Sequence, residues 1–298
     1  MTALKTQETT AEPKARLLSL NRLLNEWDAE AAILHAAHES GQQRGAVTGI
    51  ARLDAEISGA LAPGIHILHG SPGSGKTAFG LQTAATCGCP ALIVTCEMSP
   101  IELLRRITAR VTGTYLGRFK TGELSPEESG RLVREAVATV PHIALLDATQ
   151  VAVSVERIAQ AAAKVKLLDP TSKHLLIIVD SLHSWADGAA PSMNEYERLN
   201  TAIDALRRVS QHLQCPMLCI AERNRAAMTS GGLSAGAGTR KIEYGAETVI
   251  DLEAEKDRTE DAHGNVQVVL TLAKNRHGTP GKRINLAFHG ATQSFKEA

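Results

Sequence analysis

The run Gly70-Ser71-Pro72-Gly73-Ser74-Gly75-Lys76-Thr77 is where this sequence can do chemistry. Glycines at that spacing let main-chain N–H groups turn inward around phosphate oxygens, and a helix starting at the lysine adds positive potential where the anion sits. In such a loop the lysine reaches the β- and γ-phosphates and the hydroxyl of the next residue ligates Mg2+. Lys76 and Thr77 take those places, and the candidate nucleotide site runs from Gly70 through Ala78. The chemistry is the binding of a nucleoside triphosphate.

Two carboxylates extend it. The apolar run Leu175–Val179 ends in Asp180, placed to hold a Mg2+ hydration shell opposite Thr77. Glu97 follows an apolar segment, Ala91–Cys96, and can orient or deprotonate an attacking water. It can also be read as an acid flanking the start of the helix at Ser99, a role worth only tenths of a kcal/mol.

The elements that must position these groups alternate along the chain. An apolar segment (Ile65, Ile67, Leu68) enters the loop and a helical stretch from Lys76 to Thr86 leaves it. Strands are predicted at Ala91–Cys96, His142–Asp147, His174–Asp180 and Pro216–Ala221. Helices are predicted over Ser99–Gly113, over Ser125–Val140 with a capping box at Ser125, over Ser154–Leu168 and over Asn194–Leu213. This alternation predicts a parallel sheet covered on both faces. Three β-rich segments (Glu247–Glu253, Asn265–Ala273, Arg283–Phe288) then follow without helices between them, as a meander at the C-terminal edge. Between these two regions lies a Gly/Ser/Ala-rich loop, Thr229–Gly238, of a length that marks function or disorder. At the other end, residues 2–13 are polar and read as disordered. Leu17–Ala37 carries apolar residues at helical spacing, which must be covered either by its own domain or by a neighbouring subunit.

Composition narrows the partners. Lys plus Arg equals Asp plus Glu at 32 each, and aromatic residues make up 3%, so a nucleic-acid surface built on rings is poorly supplied and any DNA contact needs a local basic cluster. No apolar run approaches the roughly 20 residues that span a bilayer. The five cysteines include Cys87 and Cys89 without a second pair at zinc spacing, which predicts structural thiols in a reducing cytoplasm.

The order of motifs resembles the ATPase domain of DnaB-type replicative helicases, a branch of the RecA-like family. The resemblance rests on Thr48-Gly49 with Leu53-Asp54, the phosphate loop, Thr95-Cys96-Glu97-Met98, Lys120-Thr121-Gly122-Glu123-Leu124 and Asp180-Ser181-Leu182-His183. Asn224-Arg225, Ile242-Glu243 through Ala246-Glu247, and Lys274-Asn275-Arg276-His277-Gly278 follow in the same order. It implies an α/β RecA-like P-loop core, with a mainly parallel sheet flanked by helices and an antiparallel C-terminal edge. It divides the chain into residues 1–45, a disordered start plus a linker-type helix, and residues 46–298, the ATPase domain.

The resemblance also assigns roles. Glu97 and Lys76 become catalytic, and Lys274 and Arg276 act in trans on the ATP of a neighbouring subunit. Arg240, Lys241 and Arg225 contact single-stranded DNA around the Gly-rich loop. Glu222 and His183 stand where the family usually has glutamines, at positions that sense the γ-phosphate, and put coupling between ATP and DNA in question. The implied assembly is a homo-oligomer, a hexamer, with ATP and Mg2+ at its interfaces, met by a loader or initiator protein and not by a membrane. The primase-interacting domain of full-length members is absent from this sequence, as in stand-alone plasmid and phage helicases. Two functions remain open: a 5′-to-3′ DNA helicase, and a regulatory or assembly ATPase that switches oligomeric state without unwinding.

Overall fold

A computed structural model describes residues 17–41, 43–189, 193–222, 244–254 and 259–298. The chain divides into two compact units, residues 1–44 and 45–298. The described part of the first is a 3-10 turn, Leu20–Leu23, running into helix α1, Leu24–Glu39. No residue of α1 is buried, and Trp27 is 69% and Ile33 64% exposed.

The second unit begins with a short helix, α2 (Ala51–Glu56), then strand β1 (Gly64–Gly70) and the loop helix α3 (Lys76–Thr86). Strand β2 (Ala91–Thr95) leads to α4 (Pro100–Thr112), α5 (Leu116–Thr121) and α6 (Pro126–Thr139). Strand β3 (Ile143–Asp147), α7 (Val155–Lys166), β4 (Leu176–Asp180), α8 (Leu182–Ala189), α9 (Glu195–Leu213) and β5 (Pro216–Glu222) complete the alternating region. Strands β6 (Thr248–Ala254), β7 (Asn265–Asn275), β8 (Arg283–His289) and β9 (Ser294–Glu297) close the chain.

All nine strands form one sheet in the order β3-β2-β4-β5-β1-β6-β7-β8-β9. Strand β1 lies between β5 and β6 and is parallel to both. Period-two alternation sends Ile178 and Ile93 to one face, with Phe79 and Leu103 of α3 and α4. It sends Ile177 and Leu92 to the other, with Ile158 of α7 and Leu206 of α9. Burial on both faces explains the continuous apolar runs of β2 and β4.

The expected parallel core and antiparallel edge are both present, with one correction. The first of the three late β segments joins the two regions: β6 pairs parallel with β1 and antiparallel with β7, and the β7–β8 and β8–β9 pairs continue the antiparallel edge. The capping box expected at Ser125 is half formed. Its hydroxyl accepts from the N–H of Glu128, but the Glu128 carboxylate lies toward Arg118, 3.8 Å away. The full box forms at Asn194 with Glu197.

Candidate active site

Steric demands shape the phosphate loop. Gly75 caps α3 at φ +91°, and a Cβ there would fall 2.7 Å from Phe295, whose ring stacks on Phe288 at 4.5 Å. A Cβ at Gly70 would meet the Leu252 carbonyl and the Ser74 hydroxyl, each at 2.5 Å. Lys76 Nζ donates to the carbonyls of Gly70 (2.9 Å) and Ser71 (3.1 Å), curling over its own loop. Burial lowers the Lys76 pKa, while the negative charges of Glu222, Asp180 and Glu97 pull it back up. The Ser74 hydroxyl is buried and has no partner among the described residues. The loop thus presents a desolvated cation and an unsatisfied hydroxyl to an incoming anion.

The sheet order brings the carboxylates to this loop. Strands β2 and β4 are neighbours with Thr95 opposite Asp180, so Glu97, two residues beyond, and Asp180 share one crevice. The Thr77 hydroxyl donates to Asp180 Oδ2 at 2.8 Å. Burial pushes the Asp180 carboxyl up to about 6; the Thr77 bond opposes this, and the charge on Glu97 adds to it.

A hard divalent cation fits that pair of oxygens and would restore the ionised carboxylate. Among the described residues no group of three or more His, Cys, Asp or Glu could hold a metal. A cation here would therefore lean on phosphate and water oxygens, as Mg2+ usually does.

Glu97 is clamped from the side. Its Oε1 accepts from the hydroxyls of Ser181, at 2.5 Å, and Ser184, at 2.7 Å. Residue spacing alone gave no signal for this clamp, because it depends on β2 and β4 becoming neighbours. Glu222 lies opposite Gly70 in the β1–β5 register, and its N–H donates to His183 Nδ1 at 3.4 Å. The two family departures are therefore in contact, at the mouth of the loop.

Lys274 and Arg276 are elsewhere. Thr248 pairs with both His66 and Asn275, and the Arg276 N–H donates to the Glu247 carbonyl. That places Arg276 at the opposite end of β1 from the loop, some 17 Å along the strands at ~3.3 Å per residue, while Lys274, in register with Val249 and so with Ile67, sends its Nζ to the Tyr244 carbonyl. Arg225, Arg240 and Lys241 lie outside the described residues.

Other motif residues act as scaffold. Asp54 accepts from the Thr48 N–H (2.7 Å) and hydroxyl (2.8 Å), and Lys120 Nζ pairs with Glu102 at 2.7 Å, tying α5 to α4. All five cysteines are free thiols, with Cys87 and Cys89 buried. No described helix is long and apolar enough to cross a membrane.

The arrangement has relatives. "Replicative DNA helicase DnaB" of Geobacillus stearothermophilus is 24% identical over 264 residues, 84% of this chain and 56% of that protein. The protein of the same name from Synechocystis sp. is 28% identical over 224 residues, 73% of this chain and 24% of its own length. This chain therefore spans about half or less of these curated relatives. The solved structure described as "The Structure Of A DnaB-Like Replicative Helicase And Its Interactions With Primase" superposes with a TM-score of 0.73 over 93% of this chain and 70% of its own, at 18% identity, a likeness of fold. The family model for the DnaB-like helicase C-terminal domain matches residues 45–297, the whole sheet with its loop, both carboxylates, Lys274 and Arg276. The chain belongs to the DnaB-like helicase C-terminal domain family of P-loop ATPases.

Proposed function

We propose that this chain is an ATP-driven 5′-to-3′ DNA helicase that works as a hexameric ring on single-stranded DNA in replication of a plasmid, phage or accessory chromosomal kind. One observation carries the reading: the phosphate loop and the Arg276 guanidinium lie at opposite ends of the same strand neighbourhood, too far apart to serve one site, which supports Lys274 and Arg276 acting on another protomer's nucleotide. Direction and six-fold number follow from the family resemblance.

In this reading Lys76, the loop N–H groups and Thr77 bind ATP, and Glu97, clamped by Ser181 and Ser184, orients the attacking water. Thr77 and Asp180 would hold a Mg2+ ion, which would supply neutralisation of phosphate charge. Lys274 and Arg276 arrive from the next subunit, and α1 packs its apolar residues on a neighbour. Residues 1–45 serve as start and linker-type helix to the ATPase domain of residues 46–298. Arg225, Arg240 and Lys241 contact the strand, a loader or initiator protein places the ring, and the work is done in the cytoplasm.

A second reading, a regulatory ATPase that switches assembly without unwinding, is favoured by Glu222. Its carboxylate is felt by Lys76 and puts an acid beside the triphosphate.

Hydrolysis measured with and without single-stranded DNA, beside strand displacement on a forked substrate, separates the two. The helicase reading expects DNA-stimulated turnover that joint replacement of Arg240 and Lys241 by alanine abolishes, basal turnover remaining. Its DNA affinity falls steeply with salt. Turnover indifferent to DNA, with no displaced strand, leaves the regulatory reading.

A further inference from the structure

Glu247 has no part in the functions assigned above, yet the lower end of β1 is built around it. Its N–H donates to the Ile65 carbonyl at 2.7 Å and its carbonyl accepts from the Arg276 N–H at 3.0 Å, so it joins β1 to the turn after β7. Gly64, at φ +139°, leaves room for its side chain, since a Cβ there would overlap Glu247 Cγ. The carboxylate is largely enclosed, at 19% exposure, and both of its oxygens are used. Oε1 accepts from Arg276 Nη1 at 2.9 Å, and Oε2 meets His277 Nε2 at 3.1 Å. A second acceptor works beside it: the Tyr244 carbonyl accepts from Arg276 Nη2 at 3.1 Å and from Lys274 Nζ at 2.7 Å.

The geometry points to Glu247 as the positioning residue of the Lys274/Arg276 pair, holding the guanidinium aimed for the phosphates of an adjoining copy's ATP. It rests on the proposed trans hydrolysis. Arginine and lysine side chains are rich in rotamer entropy when free, and a carboxylate that fixes one end removes that cost before the transition state forms.

Arg276 spends two N–H groups on Glu247 and Tyr244, which leaves further donors of the guanidinium for a phosphate. Its side chain is 49% exposed and lines an open cleft of about 470 Å3 with Arg207, Gln211 and Tyr244, so an incoming group can reach it. The Glu247 carboxylate faces Arg276 and His277, while Lys274 is held at the Tyr244 carbonyl beside them.

The test is a double-mutant cycle on ATP turnover in the assembled full chain, comparing Arg276→Ala, Glu247→Ala, Glu247→Gln and the double Glu247→Ala/Arg276→Ala. Glu247→Ala is expected to lower kcat about 10²-fold, the scale of losing one preorganised electrostatic contact. KM for ATP and binding of a fluorescent ATP analogue should stay unchanged, because the cradle at the other end is intact. Glu247→Gln keeps an acceptor and should lose less. The double variant should be no slower than Arg276→Ala.

Full kcat in Glu247→Ala overturns the proposal, as do losses that multiply in the double variant or a change confined to KM. Should Glu247→Ala fail to fold by its unfolding midpoint, Glu247→Gln with and without Arg276→Ala runs the same cycle. Unchanged turnover in Arg276→Ala alone sinks the trans reading itself, and that arm reports it separately.

Discussion

The two ends of β1 handle charge in opposite ways. At the upper end one cation, Lys76, is partly buried among three acids and held by carbonyls of its own loop. At the lower end Arg276 lies half exposed on a carboxylate and a carbonyl, and Lys274 shares that carbonyl. A buried charge surrounded by opposite charge makes a receptor, because desolvation strengthens whatever replaces the water. An exposed charge with spare donors makes a probe, useful where it can be inserted into another site. The strand between them is buried along its whole length, so the two stay at fixed separation.

The largest expected effect breaks the comparison at either end. Lys76→Ala and Arg276→Ala should each lower turnover by about 10³-fold or more. If the receptor and the probe serve different chains, mixing the two inactive variants restores turnover, read as phosphate release. Mixtures as dead as their components would mean that both ends serve the same chain.

A smaller effect concerns the strand between them. His66 is fully buried; Nε2 donates to the Ala62 carbonyl, which can only accept, and so Nδ1 accepts from the Thr248 hydroxyl. Burial lowers its pKa from 6.5 to about 4, so the folded state holds it neutral. A depressed histidine contributes stability above the unfolded value and loses it as protons bind the unfolded chain more readily. Unfolding free energy should therefore decline by about 3 kcal/mol as pH falls from about 6.5 to 4. His66→Gln should flatten that slope in denaturant titrations; an equal slope would place the acid sensitivity elsewhere.

The smallest effect sharpens the upper end alone. Gly75→Ala places a side chain at positive φ and against Phe295, costing ~1–3 kcal/mol of stability. Its cost should shrink when Phe295 is shortened to leucine, measured as the shift in denaturation midpoint.

Which parts of this were legible in the sequence follows from how local each requirement is. The phosphate loop was legible because its glycines answer steric demands within eight consecutive residues. Asp180 was legible as the polar end of a run buried on both faces. Glu97 was legible as a strand tip, but Ser181 and Ser184, which hold it, were not, since nothing in the chain before folding says that β2 and β4 pair. Glu247 was hidden for the same reason: its meaning depends on β6 joining β1 in parallel. Strand β9 escaped notice because four residues, Ser294–Glu297, are too few to show alternation. The apolar residues of α1 could be read from their spacing, but not what covers them. That is decided by neighbours, not by periodicity.

On the proposed trans reading, a protomer with its receptor at one end and its probe at the other can be served head to tail, each subunit completing the next one's site. Such a series either closes on itself or leaves one unserved receptor and one idle probe at its termini. Closure would then add one firing site for no added subunit, a reason for such an assembly to prefer a ring.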